Sequence, residues 1–343
     1  MSTVPIFPEL EKALLQFAKQ FHDNTKHRFD ELRHVVTSKL RWTVIDVKRH
    51  SDTFRVVAAD SSFTIVETRL GLIYVVQGIA LAHGNDAKYI RVGDVGTIEF
   101  PGMYSVAGMR KIAPKKVLAL YAQYIELNLL KQAIEGVSEK PFILIDGSAI
   151  SFTMDRFKKV RNVQICSAVY GCYSVGELVE MRLQTLAFLS RSATTLFIAK
   201  NSGASFYGIK DFPDLYVLEL ARLFKLYPYS ESGFSVPIIL RANELSRILR
   251  VEVDKLKAYE LDTLIVTYMR LVSGGPAFQL SSFNTEIIDT IEDIALKLAK
   301  IAPAGYPIPL EISHKLSKIN SHTIKESMYR LGVRIVSGRE VLE

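Results

Sequence analysis

The sequence is poor in cysteine and lacks the motifs of several enzyme classes. Among its 343 residues are two cysteines, Cys166 and Cys172, in CSAVYGC, a spacing that fits neither a CxxC redox motif nor a zinc knuckle. We therefore expect two buried free thiols in a reducing compartment. The sequence has no GxxxxGKS or GxxxxGKT, no GxGxxG after a strand and no HExxH, which excludes a P-loop ATPase and a zincin-type protease. Neither Ser62 nor Ser148 lies in GxSxG, so no serine hydrolase is indicated.

Long apolar runs are also absent. The longest, such as GLIYVVQGIALA at 71–82, are too short to span a bilayer. The first residues, MSTVPIFPELEKALLQF, do not form a basic stretch followed by an apolar one, so we expect no signal peptide. With 48% hydrophobic and 23% charged residues, the composition is that of an ordinary folded protein. We expect a cytoplasmic protein with no membrane partner.

The charge balance favours an anionic partner. There are 43 Lys and Arg residues against 36 Asp and Glu, a formal net charge of +7, and the sequence pI is about 9.2. Nucleic acid is one such partner, although many basic proteins bind none. The basic stretches RFKKVRN (156–162) and MRK (109–111) are candidates for DNA contact, or else ordinary solvated surface.

Hydrophobic periodicity predicts an alternation of helices and strands. A helix is predicted over 8–40, a short strand over 42–47, and strands over 54–60, 63–69, 71–82, 88–92 and 95–100, with a tight turn at 69–71. Further along, the pattern predicts helices at 115–136, 174–191, 211–226, 285–300, from 309 or 310 onward and 321–331, and strands at 141–146, 194–200, within 236–282 (notably 263–272) and in the terminal VRIV. We expect an N-terminal helical segment, 1–48, and one domain, 49–343.

The order of these elements indicates an α/β fold with a ribonuclease-H-like core. In that topology an antiparallel meander is followed by parallel strands joined by helices, which together form a mixed sheet. The N-terminal helix precedes this core and helical elements follow it. The first strand of the meander pairs with the first parallel strand, so 54–60 should lie beside 141–146.

Two aspartates occupy equivalent places on these strands. Asp60, in FRVVAADSSFTI, and Asp146, in PFILIDGSAI, each end an apolar run. Adjacent carboxylates repel unless a cation lies between them, and hard divalent ions such as Mn²⁺ and Mg²⁺ prefer oxygen ligands. Glu126, within the helix 115–136, is a candidate third ligand. Singly, Asp60 could form an Asx-turn, Asp146 an ordinary Asp-Gly-Ser turn, and Glu126 a solvated helix position.

Other candidate residues lie nearer the C-terminus. His314, in PLEISHKLSKI, shares a predicted helix face with Glu311 and Lys318, and is either a metal ligand or proton donor or a surface histidine. Lys200 ends the strand TTLFIAK and either contacts a phosphate or lies in solvent. The aromatic residues Tyr170, Tyr173, Phe206 and Tyr207 are candidates for stacking on unpaired bases, or else core.

Taken in order, AADSSF, the helix with Glu126, LIDGS, LFIAK and GYPIPLEISHKL resemble the NurA nucleases, archaeal and bacterial enzymes that process DNA ends. The resemblance covers about residues 50–330. It implies a homodimeric ring and a Mn²⁺-dependent nuclease with 5′–3′ exonuclease and single-strand endonuclease activity. It also implies a hexameric HerA ATPase partner in double-strand-break resection. By motif, Asp60, Glu126, Asp146 and His314 would form the metal site, with Lys200 and Glu311 as auxiliary catalytic residues.

The sequence departs from the family pattern at two places. The first motif is Asp60-Ser61-Ser62 where Asp-Gly-Ser is usual, and serine does not readily adopt a positive φ. Ser281 and Ser282 stand where a glutamate is often found. Two competing functions therefore stay open: a catalytically weak paralogue that binds DNA or an assembly partner, and another polynucleotidyl hydrolase such as a junction resolvase or ribonuclease H. The apolar N-terminal segment is either a docking surface or part of a dimer core.

Overall fold

The computed structural model describes residues 7–47, 54–68, 71–83, 88–100, 114–135, 140–209 and 212–333. The predicted turn at 69–71 and terminal strand 333–336 lie largely outside these ranges, and the basic stretch 109–111 lies wholly outside them.

Twelve strands of the described chain form one mixed sheet. Its main path runs β1-β9-β11-β12-β8-β5-β2-β3-β4-β6-β7, and β10 pairs with β11. The strands are β1 (Trp42–Val44), β2 (Val56–Thr68), β3 (Gly71–His83), β4 (Lys88–Glu99), β5 (Phe142–Asp146), β6 (Gln164–Ser167), β7 (Gly171–Ser174), β8 (Thr194–Ala199), β9 (Gly233–Ser235), β10 (Ile238–Arg241), β11 (Thr263–Arg270) and β12 (Ala277–Ser282).

Helices cover both faces of this sheet. They are α1 (Pro8–Lys39), α2 (Pro114–Ile134), α3 (Ala149–Thr153), α4 (Val175–Ser192), α5 (Asp214–Leu223), α6 (Ala242–Leu249), α7 (Val253–Ala258), α8 (Ile291–Lys300), α9 (Ile308–Ser317) and α10 (Ser321–Arg330). Two short 3₁₀ turns lie at Lys158–Val160 and Thr285–Ile288.

The predicted neighbour relation between the meander and the parallel strands is confirmed. Strand β2 is antiparallel to β3 along its whole length, and β3 is antiparallel to β4. On its other side β2 runs parallel to β5, from Val56 opposite Phe142 to Ala59 opposite Ile145, and β5 runs parallel to β8. The first four residues of β2 are fully buried, as expected for a strand covered on both faces. The fold is therefore mixed α/β, as the sequence predicts.

Asp60 does not end its strand, and this prediction was wrong. Strand β2 continues through Asp60, Ser61 and Ser62 to Thr68 because β3 pairs with every residue of it. Only the parallel pairing with β5 stops, at Ala59. Asp60 is thus the first residue of β2 beyond its parallel neighbour.

Alternate residues of the central strands pack into two separate cores. Val57, Ala59 and Ile145 pack in the core that includes α2 and α4, on one face of the sheet. Val56, Ala58 and Leu144 pack in the core that includes α8 and α9, on the other. Because side chains alternate along a strand, Asp60 and Ser62 share the α9 face and Ser61 faces α2. A third core joins the C-terminal half of α1 to α5.

Several other predictions need correction. The predicted helix 285–300 is a 3₁₀ turn followed by α8, and the region 236–282 contains α6 and α7 as well as strands. Lys318 is not on the helix face of His314, because α9 ends at Ser317 and Lys318 has extended backbone angles.

Cys166 and Cys172 are not buried free thiols. They face each other in the β6–β7 hairpin and are joined by a disulfide. Cys172 is exposed and Cys166 only partly covered. Direct opposition across an antiparallel pair brings the two side chains together, which spacing alone did not reveal.

The N-terminal helix is anchored at one end. Phe29, Leu32 and Val36 are buried in the third core, whereas Leu10, Leu14 and Phe17 are about half exposed or more. Across the described helices, none combines the length and apolar character needed to cross a bilayer.

Candidate active site

Asp146 lies at a strand-to-helix turn that requires glycine. Strand β5 ends at Asp146, and Gly147 follows with φ +129°. Ser148 then caps α3, its side chain accepting a hydrogen bond from the Ser151 N–H at 3.2 Å. Asp146-Gly147-Ser148 therefore does form a turn. It places the aspartate carboxylate at the carboxyl end of β5, and open α/β sheets bind ligands at the carboxyl ends of their strands.

Lys200 and Tyr306 surround the Asp146 carboxylate. Lys200 Nζ lies 3.0 Å from Asp146 Oδ2 and 4.0 Å from the centroid of the Tyr306 ring. The Tyr306 hydroxyl is buried and makes no hydrogen bond of good geometry within the described chain. Burial, followed by the charge of Asp146, raises the pKa of Tyr306. Sequence reasoning missed Tyr306, although it lies in the segment GYPIP, eight residues before His314.

Asp60 is held by the last turn of α9. Its Oδ2 atom lies 3.0 Å from His314 Nδ1 and accepts a hydrogen bond from Ser317 Oγ at 2.6 Å. The Asp60 side chain is 15% exposed, whereas His314 is 60% exposed. The carboxylate is therefore engaged by a long-range contact and does not form an Asx-turn.

Strands β2 and β3 also fix the end of α9. The Ser62 hydroxyl donates to the Ser317 carbonyl and accepts from the Ile319 N–H at 2.9 Å. Gln77 Nε2 donates to the same Ser317 carbonyl at 2.7 Å. Carbonyls at a helix end lack partners within the helix, and here polar side chains of the sheet supply them. This arrangement holds His314 and Ser317 over Asp60.

Glu126 is buried and is not a solvated helix residue. It is 5% exposed, and its Oε2 atom lies 3.4 Å from Ser61 Oγ. Its Oε1 atom finds no hydrogen-bond partner in the described part of the chain. Burial raises the pKa of Glu126 well above its usual range, and the charges of Asp60 and Asp146 raise it further. A buried acceptor without a partner is costly, so this position suits a cation or a hydrogen-bond donor.

Glu311 lies at the margin of this group. It is on α9 and forms an ion pair with Lys315, at 2.6 Å between Oε1 and Nζ. The hydrogen bond and charge of Lys315 lower the pKa of Glu311, and the charge of Lys200 adds a small effect in the same direction. The structure thus brings together Asp60, Glu126, Asp146, Lys200 and His314, with Glu311 turned toward solvent.

The donor set suits a hard divalent ion. Among the described residues, however, no group of three or more His, Cys, Asp or Glu side chains is arranged so that it could hold a metal ion. Instead, Lys200 forms an ion pair with Asp146, and His314 Nδ1 lies 3.0 Å from Asp60 Oδ2. Glu126 Oε1, however, has no hydrogen-bond partner among the described residues, and the charges of Asp60 and Asp146 repel that of Glu126. A divalent cation at this position would relieve the repulsion.

Ser281 and Ser282 have structural contacts. Ser282 Oγ donates to the Thr195 carbonyl at 2.6 Å, and Ser281 Oγ accepts weakly from the Ala149 N–H at 3.4 Å. Both are buried in β12 and offer no charge to the site.

The predicted DNA-contacting residues differ in their surroundings. Arg156, Lys158 and Lys159 are exposed, which suits either surface or phosphate contact. Tyr207 donates to Ser235 Oγ at 2.8 Å, and Phe206 packs against the core, so these two rings have structural contacts. Tyr170 is 48% exposed.

Comparisons with known proteins agree on one family. A model of the NurA domain matches residues 54–319. The crystal structure of the NurA nuclease from Sulfolobus solfataricus superposes with a TM-score of 0.65 and 19% identity, covering 95% of this chain and 97% of that one. A structure of NurA bound to dAMP and manganese gives a TM-score of 0.61 and 13% identity, covering 97% and 99%. A structure of NurA with manganese gives 0.58 and 14%, covering 93% and 98%. No curated protein matches the sequence at a significant level.

Proposed function

Because the chain belongs to the NurA family, we propose that it is a metal-dependent nuclease that hydrolyses DNA phosphodiester bonds. The observation that carries this proposal is the buried Glu126 carboxyl. Its Oε1 atom has no hydrogen-bond partner among the described residues, and burial and the charges of Asp60 and Asp146 raise its pKa. A buried glutamate in such surroundings is expensive unless the site binds a cation.

Manganese is the proposed ion, with magnesium as the substitute. Two related structures are of NurA with manganese. Asp60, Glu126 and Asp146 would hold the ion, with His314 completing the site or assisting proton transfer. When bound, a divalent ion supplies Lewis acidity, which lowers the pKa of a water and offsets the negative charge of the phosphate.

The remaining side chains would position the substrate. Lys200, which pairs with Asp146 near the carboxyl end of β5, would be available to contact a phosphate oxygen if a cation took its place beside Asp146. The buried Tyr306 hydroxyl, whose pKa is raised, stays protonated and can donate a hydrogen bond beside Asp146. His314, being largely exposed, can exchange protons with solvent. Glu311 would act only through Lys315 and Lys200.

The family resemblance supports a finer set of proposals. The core is ribonuclease-H-like, residues 1–48 form an N-terminal helical segment, and residues 49–343 form the nuclease domain. The protein acts in the cytoplasm as a homodimer, with 5′–3′ exonuclease and single-strand endonuclease activity. It resects double-strand breaks with a hexameric HerA-type ATPase.

The decisive experiment is a nuclease assay on end-labelled single- and double-stranded DNA. Wild type is compared with Asp60→Ala in Mn²⁺, Mg²⁺ or EDTA. We expect metal-dependent degradation by the wild type and none by the variant. The matched control is Glu135→Gln, which removes an exposed carboxylate just beyond α2, the helix that carries Glu126. This variant should cleave normally. Absence of cleavage by the wild type, even with the ATPase partner and ATP, would overturn the catalytic proposal.

A second candidate is a weakly catalytic paralogue that binds DNA or an assembly partner. Two observations favour it. Asp146 is already paired with Lys200, and Asp60 already contacts His314. Ser281 and Ser282 contribute no acidic group. A rise in the unfolding temperature on adding Mn²⁺ would distinguish the two, because a competent metal site is stabilised by its ion.

A further inference from the structure

A cavity of about 150 Å³ lies between β4, α2 and the β6–β7 hairpin. Its apolar lining comes from Val92, Ile125 and Leu129. Four tyrosine rings complete the wall, from Tyr121, Tyr124, Tyr170 and Tyr173. A cavity of about this size is known to accept a single benzene ring. Its dimensions and aromatic walls therefore suit one planar ring.

The polar groups at this cavity are free to bind a ligand. Arg91, Asn128 and Gln132 also line it. None of these three side chains makes a hydrogen bond or ion pair to the residues that the structure describes. An arginine and two amides provide the donors and acceptors that a nucleobase edge and a phosphate require. Among the described residues of the lining, Arg91 alone is charged, so this part of the cavity favours an anionic ligand.

The tyrosine wall is held in place before any ligand binds. Ser167 Oγ accepts hydrogen bonds from the N–H groups of Val169 and Tyr170, at 2.9 and 2.8 Å. The same hydroxyl donates to the buried Asp94 at 2.6 Å. Tyr121 donates to the other Asp94 oxygen at 2.7 Å. One buried carboxylate thus orients both the hairpin turn and the cavity wall, which lowers the ordering cost of binding.

The cavity is close to the candidate active site. Asp60 pairs with Ile79, and Ile79 pairs with Arg91, so Arg91 lies two strands from Asp60, or about 10 Å along the sheet. Ile125 directly precedes Glu126 on α2. The first part of β4 pairs with β3 on one side, and β6 joins its other side only from Gly96. Directly paired residues point to the same face, so Arg91 shares the α9 face with Asp60, whereas its neighbour Val92 faces α2 and the cavity. The cavity therefore lies beside the part of β4 that is not paired with β6, on the opposite face of the sheet from Asp60.

We infer that this cavity receives one unpaired nucleotide of the DNA substrate, with its base against the tyrosine rings and its phosphate near Arg91. The inference rests on the proposed nuclease function and adds a base-binding subsite a few nucleotides from the bond that is cut. It predicts that the enzyme grips single-stranded DNA partly through a base and not through phosphates alone.

The test measures binding without cleavage, in EDTA, by fluorescence anisotropy. The probes are a short fluorescein-labelled oligothymidylate and an abasic oligomer of the same length, which has the same phosphates and no bases. The variants are Tyr170→Ala and Arg91→Gln. The matched control is Tyr89→Ala, because Tyr89 has the same 48% exposure as Tyr170 and does not line the cavity.

We expect wild type to prefer the oligothymidylate, and Tyr170→Ala to weaken that binding about tenfold while leaving abasic binding unchanged. Arg91→Gln should weaken binding of both probes, and Tyr89→Ala neither. Equal wild-type affinity for the two probes, or a base preference that survives in both cavity variants, would overturn the inference. A nuclease assay in Mn²⁺ on the same preparations separates the two proposals. Cleavage without base-dependent binding overturns the cavity alone, and base-dependent binding without cleavage overturns the nuclease alone.

Discussion

The two aspartate motifs of this chain look alike in sequence and are built differently. Asp146 is the last residue of β5, and its motif turns into α3 through a glycine at φ +129°. Asp60 lies within β2, and its motif stays extended. Both carboxylates nevertheless lie at the place where the parallel pairing of β2 and β5 ends, because this pairing stops between Ala59 and Asp60. A carboxylate can thus be placed at this end of the paired strands either by a turn or by the register of a continuing strand.

The residues after each aspartate differ in the direction that the chain takes. At Asp146, the glycine allows the chain to leave the sheet. At Asp60, the two serines remain in the ladder with β3 and point to opposite faces. Ser61 donates to the Ala122 carbonyl on α2 at 3.1 Å, and Ser62 bonds the end of α9. The serines that depart from the family pattern thus connect the strand to helices on both faces.

Neutralising either aspartate should cause the largest effect. We expect Asp60→Asn and Asp146→Asn each to reduce Mn²⁺-dependent DNA cleavage on the order of 10³-fold, because several kcal/mol of charge stabilisation are lost. Cleavage of end-labelled DNA measures this, with Glu135→Gln as control. If one asparagine variant kept near-normal activity, the two motifs would not be equivalent in chemistry.

The glycine requirement should separate the motifs by stability. Gly147→Ala should destabilise the fold by about 2–3 kcal/mol, since alanine strongly disfavours this φ. A Cβ there would also lie 3.1 Å from the Phe152 ring. Ser61→Gly should cost about 1 kcal/mol, from a lost hydrogen bond and a flexible strand residue.

Urea unfolding measures both changes. Gly203→Ala is the control, because its φ is not positive and an added Cβ would meet no described atom within 4 Å. Equal losses for Gly147→Ala and Ser61→Gly would mean that the two backbones do not differ in solution.

Glu126, which lies between the motifs, should make the metal-free protein sensitive to pH. Its folded-state pKa is raised above the ordinary 4.5, so the folded protein binds this proton more firmly than the unfolded chain does. Stability therefore falls as pH rises from 4.5 toward the raised value. Glu126→Gln should raise the unfolding temperature by a few degrees at neutral pH, and remove the stabilisation by Mn²⁺.

Thermal unfolding in EDTA at several pH values tests this prediction, with Glu135→Gln as the exposed control. A Glu126→Gln protein that unfolds below wild type at neutral pH would show that the carboxylate stabilises the fold and is not held at a cost.

The ion pair at Asp146 should have the smallest effect on folding. Lys200 is 43% exposed, so Lys200→Gln should change the free energy of unfolding by less than about 1 kcal/mol. Urea unfolding in EDTA provides the value. A loss well above this would indicate that Lys200 serves mainly to neutralise Asp146 and not to bind substrate.

The sequence by itself determined the order of elements and the pairing of β2 with β5. Apolar runs of strand length and the rule for parallel connections are local and topological information, and they were sufficient to bring Asp60 and Asp146 to one edge. The same patterns placed Glu126 on the intervening helix. Its burial, however, depends on packing against the sheet, which periodicity does not report.

Only the tertiary structure decided the partners of these carboxylates. Asp60 contacts His314 and Ser317 across separations of 254 and 257 residues, and Tyr306 reaches Asp146 from a proline-rich segment. The disulfide and the tyrosine cavity likewise arise from strands placed opposite each other. Such contacts depend on how α9 and the hairpin pack against the sheet. Side-chain type and spacing along the sequence do not determine that packing.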